Sequence, residues 1–171
     1  MVHSRDEPND DYADAASLTE SLVMLRFVAI QRMDNVGIVV EDLDAAIAFF
    51  TELGMEVEGT TRVDGEWVDR TVGLSGVHSE IAMMRTPDGH GKIELSTYHS
   101  PPSLKVRDPP ANTLGLHRVM FAVDDIEDTV SRLRRHGAEL LGGIARYEDM
   151  YLLCYLRGPA GIIVGLAEQI G

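Results

Sequence analysis

Apolar and polar residues alternate over Val36, Ile38 and Val40, and again over Val119, Phe121 and Val123, the period-two pattern of strands with one buried face. Each run passes through acidic residues suited to cap a helix N-terminus and continues with apolar residues at helical spacing. These are Leu43, Ile47 and Phe50 after the first run, and Ile126, Val130 and Leu133 after the second. Gly54 and Gly137 stand where a helix C-terminus calls for a left-handed residue. The two stretches align without a gap: Asp42, Leu43 and Asp44 fall on Asp125, Ile126 and Glu127, and Gly54 falls on Gly137, a constant offset of 83. One strand-helix unit is therefore present twice.

Each unit continues as further strands. MEVEGTT, 55–61, alternates as a second strand, and a turn at Asp64-Gly65 leads into a weakly periodic stretch holding Trp67, the only tryptophan. Residues 77–100 read as two strands joined by a hairpin loop, TPDGHG. The second half repeats this order, with a strand near 139–144 and a hairpin over 151–168 in which Pro159 and Gly161 stand for Pro87 and Gly89. Residues 100–113 hold four of the seven prolines and read as a linker. The predicted organisation is an acidic leader at 1–30 and a single α+β domain at 31–170. That domain comprises module one (34–99), the linker (100–113) and module two (114–170). Within the leader Leu18, Leu22 and Leu25 permit a short helix, and 26–30 a strand.

Composition narrows the chemistry. A net charge of −13 over 171 residues argues against a nucleic-acid partner, whose phosphates require a basic face. Part of that charge sits in the first 20 residues, where Asp6, Glu7, Asp10, Asp11, Asp14 and Glu20 face only Arg5. No apolar run approaches a membrane span and the N-terminus is acidic, so a cytoplasmic protein is expected. The single cysteine, Cys154, lies in an apolar run and reads as a buried, inert thiol, which excludes a disulfide framework within one chain.

The duplicated unit, the stretches VVEDLDAAIAFF and FAVDDIEDTV, and the proline-glycine hairpins before each closing strand resemble the vicinal oxygen chelate superfamily, over residues 34–169. That superfamily holds glyoxalase I, extradiol dioxygenases, and the fosfomycin and bleomycin resistance proteins. The resemblance implies two tandem βαβββ modules around a shared concave cleft. In metal-dependent members one divalent ion is held by residues that open each module's first strand and lie in each last strand. Those positions here are Asn35, Arg118, Glu94 and Gly165, of which only Glu94 is a ligand of the expected type. By strand alternation Asn35, Lys92, Glu94, Ser96 and Arg118 look into the cleft. His117 would reach the ligand position only by a one-residue shift that sends Val119 and Phe121 into the cleft, so it reads as a packed or strand-edge histidine.

A guanidinium repels a divalent ion, and one carboxylate does not hold a catalytic metal. An Arg118–Glu94 ion pair is therefore expected in place of the metal, either as a tie between the halves or as a ligand site in which Arg118 binds an anion and Glu94 takes a proton or a cation. His78, His90 and His99 lack a metal-site spacing. Trp67, Tyr98, Tyr147, Tyr151 and Tyr155, with Met83 and Met84, serve either as core or as pocket lining, Trp67 being placed to cap a cavity. The expected protein binds a small organic ligand through Asn35, Glu94, Arg118, Trp67 and Tyr98, with no cofactor and no bound metal. The resemblance also implies a homodimer of the bleomycin-resistance kind. The alternatives are an enzyme using Glu94 as its catalytic group, a lyase, isomerase or dioxygenase with a divalent metal, or an interaction module with a filled cleft.

Overall fold

A computed structural model of the protein describes residues 32–105, 110–112, 114–115 and 118–171. The chain divides into two units, 1–34 and 35–171. Of the first, only 32–34 are described, and there Arg32 Nε lies 2.7 Å from Asp34 Oδ1. The leader's expected helix and strand, and His117, fall outside the described residues.

Module one runs β1 (Val36–Val39), α1 (Leu43–Glu52), β2 (Glu56–Asp64), α2 (Glu66–Val72), β3 (His78–Arg85) and β4 (Lys92–Ser100). Its sheet has the order β1-β4-β3-β2, with β1 parallel to β4 and the other pairs antiparallel. Module two runs β5 (Arg118–Ala122), α3 (Ile126–Arg134), β6 (Glu139–Leu140), β7 (Ala145–Tyr147), β8 (Tyr151–Arg157), a short 3-10 turn (Pro159–Gly161) and β9 (Ile163–Gln169). Its sheet has the order β5-β9-β8-β6, with β7 also paired to β8. Helices α1 and α3 start as the acidic residues predict. The Asp42 carboxylate accepts the Ala45 N–H and the Asp125 carboxylate accepts the Asp128 N–H, each at 2.9 Å. Both stop glycines have positive φ, +109° at Gly54 and +81° at Gly137.

Three local features differ from the pattern expected of the sequence. The stretch around Trp67 is a helix, α2, which buries only Val68 and so shows no apolar stripe; the Asp69 carboxylate fastens it by accepting the Gly76 and Val77 N–H groups at 2.8 and 2.9 Å. The strand expected at 139–144 stops at Leu140, because Gly142 and Gly143 offer no side chain to pack, and pairing with β8 resumes only in β7. The buried face of α1 is Ala46, Phe49 and Phe50, with Leu43 and Ile47 half-buried at its margins.

That rotated face follows from α1 having two partners. Beyond its own sheet it meets module two: the Phe50 ring lies 6.4 Å from that of Phe121, and the Phe49 ring packs on Gly158, where a Cβ would approach it to 3.0 Å. Core residues of both sheets belong to one continuous cluster. Arg132 of α3 adds a polar tie, donating to the Glu52 carbonyl and carboxylate of α1.

Candidate functional site

On the sheet faces turned away from the helices, register sets which side chains stand together. In module one Gly37, Glu94, Met83 and Gly59 form one row across β1, β4, β3 and β2. In module two the matching row is Met120, Gly165 and Tyr155 across β5, β9 and β8. Glu94 and Gly165 therefore hold equivalent places, and Met120 matches Gly37 by the offset of 83. Ile93 and Leu95 are buried on the opposite face, as are Val164 and Leu166, which is the alternation expected of the sequence.

Glu94 is half-buried beside a hollow of about 370 Å³ lined by Glu58, Gly59, Thr60, Thr61, Ile81 and Met83. The neighbouring cations are already engaged. Lys92 Nζ lies 2.8 Å from Glu58, and Arg85 Nη2 lies 2.8 Å from Glu56. Among the described residues Glu94 itself has no hydrogen-bond or ion-pair partner. A carboxylate with open lone pairs next to apolar side chains is able to accept a proton or to bind a cationic group.

Arg118 is exposed at the start of β5, with its guanidinium 5.2 Å from the centre of the Tyr155 ring. That contact holds the planar cation over the aromatic face while its N–H donors remain open. The expected Arg118–Glu94 ion pair is not formed, because Arg118 turns onto Tyr155 of its own sheet. Gly165 is buried; a Cβ there would lie 2.9 Å from Met120 Cε, so the methionine occupies the space that a larger residue would need.

The other expected site residues are dispersed. Asn35 is exposed just before β1. Trp67 is 63% exposed on α2 and does not line the Glu94 hollow. Tyr98 lines a different cavity, about 790 Å³, between the start of α1 and the turn at Pro159 and Ala160. Met84 is core, whereas Tyr147 and Tyr151 are exposed. Sequence reasoning passed over Met120 and Glu58. Met120 was detectable as the offset partner of Gly37, whereas Glu58 reaches Lys92 through a register shift in β2 that alternation does not reveal.

Among the described residues four carboxylates with lowered pKa values, Glu52, Asp69, Glu80 and Asp88, lie outside this face. Asp69 is held below the usual carboxylate range by the Val77 and Gly76 N–H groups. Glu52 is lowered chiefly by its hydrogen bond from Arg132. Burial pushes the Cys154 thiol up, in keeping with an unreactive core sulfur.

The chain belongs to the Glyoxalase/Bleomycin resistance protein/Dioxygenase superfamily, whose family model matches residues 32–166. A crystal structure of a glyoxalase family protein from Bacillus cereus is 54% identical, with a TM-score of 0.81, over 85% of this chain and 98% of that one. A glyoxalase family protein from Enterococcus faecalis shares the fold at 18% identity and a TM-score of 0.56, over 81% of this chain and 98% of that one. A glyoxalase I mutant from Zea mays shares it at 17% identity and a TM-score of 0.59, over 81% of this chain and 48% of that one. Comparison with curated proteins gives no significant match.

The superfamily's divalent ion does not fit the residues at the equivalent positions. Arg118 brings a fixed positive charge, Gly165 brings no donor and has Met120 lying against it, and Asn35 offers only an amide oxygen. Among the described residues no three His, Cys, Asp or Glu side chains are grouped to hold a metal. Nor is any described helix long and apolar enough to cross a membrane.

Proposed function

We propose that this protein binds a small organic ligand, without a metal, on the sheet faces that carry Glu94 and Arg118. The observation that carries the reading is the exchange of metal-ligand positions for Arg118 and Gly165, with Arg118 aligned over Tyr155 and Gly165 packed by Met120. The reading includes a homodimer in the cytoplasm. Its support is the superfamily resemblance, together with Val39 and Met120, large apolar side chains on β1 and β5 that are about half exposed in a single chain (49% and 48%). Titration of the purified chain with Zn, Ni, Mn and Fe should give no stoichiometric binding at micromolar concentration, and elemental analysis should find no metal at one per chain. One metal per chain, lost in Glu94→Ala, overturns the metal-free reading.

A second reading makes the protein a metal-free enzyme with Glu94 as general base. It rests on that carboxylate being half-buried and unpartnered beside its hollow. Under it Glu94→Gln keeps ligand affinity within about threefold yet removes turnover, whereas a pure binder has no turnover to lose.

A further inference from the structure

We infer that the Arg118–Tyr155 face of module two is an organic-anion subsite, taking a carboxylate attached to a planar apolar body. The inference rests on the small-molecule reading above and specifies which chemistry that ligand carries. Its first support is the state of Arg118. The guanidinium makes no ion pair or hydrogen bond among the described residues, in a chain of net charge −13 where carboxylates are plentiful. Elsewhere arginines do find acids: Arg62 pairs with Glu80, Arg70 with Glu66, Arg85 with Glu56, and Arg132 with Asp128 and Glu52.

The second support is the composition of the face. Register and alternation put Arg118 and Arg157 on it, in one row on either side of Ile163, and put no carboxylate on the same face of β5, β8 or β9; the acid in that row is Glu139 of β6, beyond Arg157 and three strands from Arg118. Glu168 of β9 points the other way, accepting the Ile126 N–H at 2.8 Å. A fixed cation with no acid on its own or the two neighbouring strands of the face draws an anion, and a guanidinium offers a carboxylate two parallel N–H donors.

The third support is shape. Tyr155 holds the guanidinium over its ring, and no described residue takes up the N–H donors. The next row presents Met120 over Gly165, a flexible thioether above a position with no side chain. A flat apolar group extending from the bound carboxylate would lie against Met120 and the Tyr155 edge.

The probe is benzoate, with benzamide as its neutral isostere and benzylamine as its cationic counterpart, titrated calorimetrically into the full chain at low and high salt. Benzoate is expected to bind, to weaken as salt rises, and to bind at least about tenfold more tightly than benzamide. Arg118→Gln should abolish that preference while lowering the thermal midpoint by no more than about 4 °C, the loss expected for one exposed cation–π contact. Arg118→Lys should retain part of it. Equal affinity for benzoate and benzamide, or a preference that survives Arg118→Gln, overturns the anion subsite and leaves the small-molecule reading standing. Failure of all three probes, joined by failure of a broader panel of neutral and charged aromatics, overturns both.

Discussion

Phe49 shows how one side chain joins two modules. It is fully buried on α1, its ring 5.2 Å from Phe50 in an edge-to-face arrangement, and its outer edge rests on Gly158 at the start of the β8–β9 turn. A Cβ at residue 158 would approach that ring to 3.0 Å, so a larger residue there would have to push the ring aside. Phe49→Ala removes most of a large side chain from a site whose walls belong to different sheets and cannot collapse together. The expected loss is about 3–5 kcal/mol, read as a lower urea midpoint at unchanged slope. A loss under about 1 kcal/mol would mean that the modules do not depend on this contact.

Among the elements, the contact of α1 with α3 carries a pH dependence. Glu52 near the end of α1 accepts from Arg132 at 2.9 Å, and Arg135 and His136 lie 3.7 and 3.4 Å from its carboxylate. The hydrogen bond from Arg132, its largest cause, lowers the Glu52 pKa in the folded chain below the ordinary value of 4.5. A carboxylate whose folded value is depressed contributes stability above its unfolded value, and that contribution disappears as pH falls through the folded one. Glu52→Gln should therefore melt below the parent chain at pH 7, and the two midpoints should converge as pH drops below 4.5. A difference that stays constant down to pH 3 would assign the effect to packing and not to charge. The repeated β-α unit, its caps and its stop glycines were legible because each is set by neighbours within one turn or one strand. The short helix α2 was not, since its single buried residue, Val68, leaves no periodic signal and its anchor joins Asp69 to Gly76 and Val77 outside the helix. Alternation placed Arg118 and Glu94 on the faces turned from the helices. It did not decide the partner of Arg118, because Tyr155 lies two strands across the sheet and the choice between an acid and an aromatic ring depends on which is within reach.

For the domain spanning 35–171, duplication raises the question of whether the halves fold as two units or one. Each module alone is small, and modules of that size bury too little apolar surface to be comfortably stable. The continuous core cluster draws Ile38, Leu95 and Phe50 from the first and Leu133, Leu156 and Leu166 from the second. The Phe50–Phe121 contact joins the modules within that cluster, and the Arg132–Glu52 bonds join them beside it. Unfolding either half would strip apolar surface from the other, so cooperative loss of both is expected. Hydrogen exchange measured along a urea series should give the same midpoint for peptides covering β4 in module one and β9 in module two. Phe49→Ala should lower both by the same amount although the substitution lies in module one. If the β9 peptide kept its midpoint while the β4 peptide moved, the modules would be independent foldons and the shared core only a contact surface.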